Sequence, residues 1–150
     1  MILHMGVRTT QPIQVAFKHL LPDEDEAPAV AELLGILIRQ NLYRYDVYDH
    51  SMVVHYDPPE NSNRRRELLI PVDRPMAGVE TRELPSMRVV FLVFKGTDKT
   101  MEEYYDYLRD YMEKSGLEAS EEIHSVEIMY VPESVDEQDY TMEIMIPLAG

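Results

Sequence analysis

Glu143 is the residue whose surroundings point most directly to chemistry. It stands in the apolar run YTMEIMIPL (140–148), where methionine and isoleucine flank it on both sides. An unpaired carboxylate in apolar surroundings is costly, so it must find a partner or raise its own pKa. Two arrangements would give Glu143 an ordinary structural role instead of a functional one. Its carboxylate could face solvent at a strand edge, or it could pair with an arginine such as Arg88.

Tyrosine is the aromatic residue that this chain uses most. There are 10 tyrosines against 3 phenylalanines and no tryptophan, which favours rings with a polar tip. Tyr104, Leu108 and Tyr111 form one helical stripe that is typical of core packing, and Tyr105 lies at its edge. Tyr105 is therefore a candidate ligand contact, and Met145 would add a soft, adaptable lining.

The histidines argue against metal chemistry. His50 and His55 are five residues apart, on opposed faces of a predicted strand, and the others are scattered at His4, His19 and His124. No metal-ligand spacing appears, and no Ser-His-Asp arrangement or glycine-rich phosphate loop is recognisable. With no cysteine in the chain, the sequence predicts no metal and no cofactor.

Composition predicts an acidic globular protein. Of 150 residues, 45% are hydrophobic and 28% are charged, and no apolar run approaches the roughly 20 residues that span a bilayer. The net charge of −14 argues against direct contact with nucleic acid. Residues 1–75 carry 8 basic and 11 acidic side chains, whereas residues 76–150 carry 6 and 17. The excess in the second half either serves solubility or enriches cations there, and we expect a cytoplasmic protein without a membrane partner.

The two halves of the chain show the same order of predicted elements. Apolar residues at helical or strand spacing, bounded by turn residues, mark these elements. The first half contains predicted strands at 13–20, 43–49, 51–57 and 66–72 and a helix from near Pro28 to near Asn41. The second half contains a strand at 87–96, a helix after the capping box Thr100-x-x-Glu103 that stops at Gly116, and strands at 124–132 and 140–148.

An overlay of the halves predicts a duplicated βαββ unit. The matched pairs are Phe17–Phe91, Tyr56–Tyr130 and Pro58–Pro132 at a spacing of 74, and Glu67–Glu143 and Pro71–Pro147 at a spacing of 76. We place repeat 1 at about 12–73, a linker at about 74–85 and repeat 2 at about 86–150. Residues 1–150 would then form one α+β domain.

The segment from Val79 to Leu148 resembles the GyrI-like effector-binding domain, which senses ligands in AraC- and MerR-type regulators and also occurs alone. The matching pieces are ETRELPSMRVVFLVFKG, the helix after it, the Tyr-x-Pro of EIMYVPES, and TMEIMIPL. Residues 13–72 fit the first repeat. The resemblance implies two βαββ repeats in pseudo-twofold relation, an antiparallel sheet with helices on one face, and a ligand cleft between the repeats. No helix-turn-helix precedes the domain, so we expect the chain to lack a DNA-binding half.

The resemblance also implies roles for individual residues. Glu143 matches the glutamate that serves as counter-ion to lipophilic cations, with aromatic rings stacking on the ligand. Tyr130 matches the tyrosine before the x-Pro, and Tyr56 and Glu67 hold the equivalent positions in the first repeat. Met145 and Tyr105 complete the predicted ligand site.

The leading hypothesis is a non-catalytic sensor or sequestering protein for a small hydrophobic or cationic organic molecule. The resemblance also leaves open a hydrolase of strained, electrophilic cyclopropane compounds, with Glu143 as general acid/base and Tyr130 as orienting hydroxyl. A third hypothesis is an acidic inhibitor of a DNA enzyme such as gyrase. A homodimer or a protein partner is compatible with each of them.

Overall fold

The computed structural model describes residues 1–40, 50–75, 78–96, 98–130 and 141–150. The elements within these ranges are β1 (Ile2–Thr9), β2 (Ile13–Leu20), α1 (Glu26–Arg39), β3 (His50–His55), β4 (Arg66–Pro71), β5 (Thr81–Leu84), β6 (Arg88–Lys95), α2 (Met101–Ser115), β7 (Ser125–Tyr130) and β8 (Thr141–Pro147). The predicted strand at 43–49 lies outside the described residues. Both predicted helices and the other predicted strands are confirmed to within a few residues at each end.

The strands form one open antiparallel sheet in the order β1-β6-β8-β7-β3-β4-β2-β5. The α+β prediction is therefore confirmed. The series β2-α1-β3-β4 and β6-α2-β7-β8 have the same element order, and the halves meet where β3 pairs with β7. This arrangement agrees with a pseudo-twofold relation, while the duplication itself stays an inference from the sequence overlay.

The two edge strands were not predicted. β1 precedes the predicted first repeat, and β5 lies inside the predicted linker 74–85. β1 pairs with β6, the first strand of the second βαββ series. β5 pairs with β2, the first strand of the first series. Arg8 lies opposite Val89 and Arg82 lies opposite Val15, so the two arginines hold equivalent positions. β1 was missed because most of its side chains are exposed and give little apolar alternation.

The helix α2 begins and ends at the predicted signals. The Thr100 side chain accepts a hydrogen bond from the Glu103 backbone N–H at 3.2 Å, which satisfies one of the donors left open at a helix start. Gly116 takes a left-handed φ of 68° at the other end, a conformation that favours glycine. These local signals fix α2 independently of the sheet.

Both helices pack on the same face of the sheet. A row of directly opposed residues crosses five successive strands: Leu68 of β4, Val53 of β3, Glu127 of β7, Ile144 of β8 and Leu92 of β6. Directly opposed residues point the same way, so the row lies on one face of the sheet. α1 packs over the β4 end of this row and α2 over the β8 and β6 end. Glu127 lies between the two helices, at the centre of the row.

The opposite face carries its own apolar cluster. Its buried residues include Met52, Leu69, Phe91 and Met145, and its buried members come from strands, with no helix residue among the described part of the chain. A cavity lined by residues of both halves lies on this face, and the space between α1 and α2 opens on the helix face.

Candidate functional site

A cleft of about 570 Å³ lies between α1 and α2. This volume falls within the range of about 300–1,000 Å³ that is typical of small-molecule sites. Its floor is formed by His55 of β3 and by Ser125 and Glu127 of β7. Tyr105 of α2 and Glu26 of α1 form part of its walls.

Strand alternation places Glu127 on the cleft floor. In the β7 sequence SVEIMY, Ser125 and Glu127 face the helices, whereas Val126 and Ile128 belong to the opposite cluster. The Tyr105 hydroxyl donates a hydrogen bond to Glu127 Oε2 at 2.5 Å and lies 2.8 Å from Ser125 Oγ. The Glu127 side chain keeps 20% of its surface exposed, so a molecule in the cleft can reach it.

The surroundings of Glu127 keep it ionised. Burial acts to raise the pKa of Glu127, but the nearby His55 imidazole and the Tyr105 hydroxyl outweigh it, and the pKa lies below its ordinary value. Burial, and then the Glu127 charge, raise the pKa of Tyr105, so its hydroxyl stays protonated. Burial also lowers the pKa of His124 at the same cleft, with the Arg109 charge acting in the same direction.

The described residues that line the cleft carry more negative than positive charge. They include four carboxylates, from Glu26, Glu60, Glu102 and Glu127, and the guanidinium groups of Arg64 and Arg109. A third guanidinium, that of Arg66, lies 3.3 Å from Glu26 Oε1 behind the wall. With histidines neutral, four negative charges face three positive ones.

Glu143, the residue singled out in the sequence, lies on the opposite face with 0% of its surface exposed. Arg8 forms a salt bridge with Glu143 Oε2, and the Tyr130 hydroxyl donates to Glu143 Oε1 at 2.6 Å. The Arg8 guanidinium lies over the Phe91 ring, 4.6 Å from its centroid. A permanent cation therefore already pairs with Glu143, and its role as counter-ion to a ligand stays a prediction. That cation is Arg8 of β1, and Arg88 is exposed.

Glu67 lies in an equivalent arrangement in the first half. Arg82 of β5 forms a salt bridge with Glu67 Oε1, and the Tyr56 hydroxyl donates to the same oxygen at 3.2 Å. The Arg82 guanidinium lies over the Phe17 ring, 5.6 Å from its centroid. Glu67 is 3% exposed, with His19 Nδ1 3.4 Å from its second oxygen. We call these two groups the Arg–Glu clusters.

Comparison with known proteins places the chain in a family. The GyrI-like family, described as a GyrI-like small molecule binding domain, matches residues 71–149, which is more than half of the chain. The chain belongs to the GyrI-like family. No curated protein sequence matches the chain. No helix within the described ranges is long and apolar enough to cross a membrane.

Solved structures with the same fold include three that bear on this GyrI-like domain. The EcmrR C-terminal domain has a TM-score of 0.72 at 14% identity, covering 97% of each chain. A hydrolase from Listeria innocua has a TM-score of 0.66 at 11% identity, covering 97% of this chain and 91% of the other. SAV2435 bound to tetraphenylphosphonium has a TM-score of 0.55 at 12% identity, covering 99% and 95%. At these identities the similarity establishes the fold.

The predicted site residues of the GyrI-like domain divide between the two faces. Tyr105 lies in the cleft between the helices. Tyr130 and Met145 line a smaller cavity on the opposite face, beside Arg8. Its volume of about 220 Å³ is below the usual range of about 300–1,000 Å³ for a small-molecule site. The remaining predicted residues, Glu143, Glu67 and Tyr56, belong to the Arg–Glu clusters.

Sequence reasoning missed His55 and Glu127 as site residues. The signal for Glu127 was present, since it interrupts the apolar run SVEIMY as Glu143 interrupts TMEIMIP. What the sequence lacked was the pairing of β3 with β7, which sets Glu127 opposite Val53 and His55 opposite Ser125. Because the halves meet at this pair, their polar side chains converge between the helices.

Three side chains of the cleft could hold a metal ion. One ligand atom each from Glu26, His55 and Glu127 lies within 4.8 Å of the others. The prediction of no metal considered spacing along the chain, whereas these residues come from α1, β3 and β7.

Proposed function

We propose that this GyrI-like domain binds a small organic cation in the cleft between α1 and α2, with Glu127 as the counter-charge. The observation that carries the proposal is the position of Glu127, whose carboxylate lies on the floor of a ligand-sized cleft with a fifth of its surface exposed. Within the described part of the chain, no lysine or arginine forms a salt bridge with it; its ionisable neighbour is His55, whose Nε2 lies 3.2 Å from Oε1. A cation in the cleft would supply a permanent positive charge beside the carboxylate.

The walls of the cleft suit an organic molecule. Tyr105 contributes aromatic surface, with the Arg109 guanidinium 5.4 Å from its ring centroid, and Met101 contributes a flexible, polarisable side chain. SAV2435, which shares the fold, binds tetraphenylphosphonium. These features support a lipophilic cation as the ligand class and make tetraphenylphosphonium a suitable probe.

A pair of ions with the same shape and opposite charge tests the proposal. We would titrate the full chain with tetraphenylphosphonium and with tetraphenylborate by isothermal titration calorimetry at physiological ionic strength. Apolar contacts are the same for both ions, so a difference in affinity reports the field of the cleft. We expect the cation to bind at least about tenfold more tightly than the anion, which corresponds to a difference of about 1.4 kcal/mol in binding free energy. Equal affinities, or tighter binding of the anion, would contradict the proposal.

Hydrolysis is a second candidate, favoured by one contact. The Tyr105 hydroxyl and the Glu127 carboxylate lie 2.5 Å apart in a cleft that water can enter, and such a carboxylate can act as a general base. Glu143 and Tyr130 fit this role less well, because Glu143 is fully buried and paired with Arg8. Release of product from an electrophilic ester or cyclopropane probe, lost in Glu127→Gln, would support catalysis. Saturable binding without product would exclude it for that probe.

A further inference from the structure

We infer that Glu26, His55 and Glu127 form a binding site for a divalent transition-metal ion at the floor of the cleft. The three side chains come from the first residue of α1, the last residue of β3 and the middle of β7. Their potential ligand atoms all lie within 4.8 Å of one another, and His55 Nε2 lies 3.2 Å from Glu127 Oε1. Small side-chain rotations would bring the three atoms around one ion.

His55 supplies a second and independent observation. It is only 6% exposed, and its Nε2 atom is buried without a hydrogen-bond partner among the described residues. The Glu127 oxygen is close, but it does not lie in hydrogen-bonding geometry with the ring. Buried polar atoms in native proteins almost always have a partner, and a neutral imidazole nitrogen is the commonest metal ligand in proteins. A metal ion would satisfy this atom.

The contacts behind the ligands would orient both carboxylates. The Tyr105 hydroxyl donates to Glu127 Oε2, which leaves Oε1 directed toward His55. Arg66 lies against Glu26 and is itself fixed by the backbone carbonyl oxygens of Leu21 and Glu24, each 2.7 Å from its Nη2. Such outer contacts fix ligand orientation in known metal sites.

The donor set indicates the class of metal. One imidazole nitrogen with two carboxylates suits Zn²⁺ and similar first-row divalent ions, whereas Mg²⁺ and Ca²⁺ prefer oxygen alone. Three protein ligands leave a fourth position for water or for a donor atom of a molecule in the cleft. The inference stands apart from the proposed organic cation. Both occupants would use Glu127, so Zn²⁺ should weaken tetraphenylphosphonium binding.

Zn²⁺ titration of the full chain tests the site directly. After removal of metal with a chelator, we would measure Zn²⁺ affinity by calorimetry and record the visible absorption of the Co²⁺-substituted protein. We expect one Zn²⁺ per chain and Co²⁺ bands typical of nitrogen and oxygen ligands. His55→Gln and Glu127→Gln should each weaken Zn²⁺ binding by more than about 100-fold, because loss of an outer contact alone costs about 10–100-fold. Tyr105→Phe, which removes such an outer contact, should fall within that smaller range.

Two further variants keep the result decisive. His4→Gln changes an exposed histidine of β1 that lies outside the cleft and the cluster, and it should leave Zn²⁺ affinity unchanged. Glu26→Gln changes a ligand whose side chain is 42% exposed, so the fold should tolerate it while Zn²⁺ binding weakens. Absence of Zn²⁺ binding in the wild type, or equal binding in wild type and Glu26→Gln, would overturn the inference. So would an equal loss in His4→Gln. No organic ligand is present, so these outcomes do not depend on the proposed function.

Discussion

Glu143 and Glu127 are glutamates in the same sheet, on neighbouring strands, and they differ in what surrounds them. Glu143 is fully buried on the face without helices and is paired with Arg8, whose guanidinium is held over Phe91. Glu127 lies between the helices, where a tyrosine hydroxyl and an imidazole are its described polar contacts. Among the described residues, the first carboxylate is paired with a permanent cation and the second is not. This difference is the basis for proposing a structural role for the Arg–Glu clusters and a binding role for the cleft.

Removal of the permanent cation should have the largest effect on stability. Loss of one partner of a buried ion pair costs about 3–5 kcal/mol, and Arg8 keeps 41% of its side chain exposed. We therefore expect Arg8→Met to lower the free energy of unfolding in urea by about 3 kcal/mol, the low end of that range. Arg74→Met, at an exposed arginine, is the control and should change little. A loss below about 1 kcal/mol, the usual value for a surface pair, would show that the pair at Glu143 is not structural.

Replacement of both partners should recover most of that loss. Apolar residues of similar volume often replace a buried ion pair without net cost. We expect the double variant Arg8→Met with Glu143→Leu to unfold within about 1 kcal/mol of the wild type, and the equivalent Arg82→Met with Glu67→Leu to behave alike. Urea unfolding curves with a common slope give the comparison. A double variant as unstable as Arg8→Met alone would show that the loss does not come from an unpaired carboxylate.

The tyrosine hydroxyls should sharpen the contrast between the faces. Tyr130 and Tyr105 each donate to a carboxylate, and a hydrogen bond to a charged group contributes about 1.5–3 kcal/mol. Water can replace the hydroxyl in the cleft but has no access to the fully buried Glu143. We expect Tyr130→Phe to destabilise the fold by about 2 kcal/mol and Tyr105→Phe by about 1 kcal/mol or less. A larger loss for Tyr105→Phe would reverse the proposed roles of the two faces.

An exposed ion pair should give the smallest effect. Asp57 accepts hydrogen bonds from the Arg65 side chain and backbone, and they lower its pKa from 3.8 to about 2. Its contribution to stability is therefore complete above pH 3.8 and disappears as the pH falls toward 2. The difference in melting temperature between wild type and Asp57→Asn should shrink between pH 5 and pH 2. Asp23→Asn, at an exposed aspartate, should show no such trend, and a difference for Asp57→Asn that is constant with pH would contradict the assignment.

The sequence predicted the fold more completely than the site. Local signals such as the Thr100 cap and the alternation in TMEIMIP are short-range, and both appear where predicted. The site depends on long-range pairing that no local pattern contains. Arg8 is 135 residues from Glu143, and β1 carries too little apolar alternation to be recognised as the strand that delivers it. Resemblance to the family singled out Glu143. Glu127, which interrupts an apolar strand in the same way, is the glutamate that lines the cleft.

Glu127, and not Glu143, is proposed as the counter-charge to a ligand. Tetraphenylphosphonium binding by Glu127→Gln and by Glu143→Gln, measured in parallel by calorimetry on variants with native circular dichroism, tests this most directly. Both substitutions remove one carboxylate charge and keep the side-chain shape. We predict that Glu127→Gln weakens binding by at least about tenfold, as expected for a lost interaction with a charged group. Glu143→Gln should leave the affinity unchanged while it lowers the free energy of unfolding. Loss of binding in Glu143→Gln with full binding in Glu127→Gln would contradict the account.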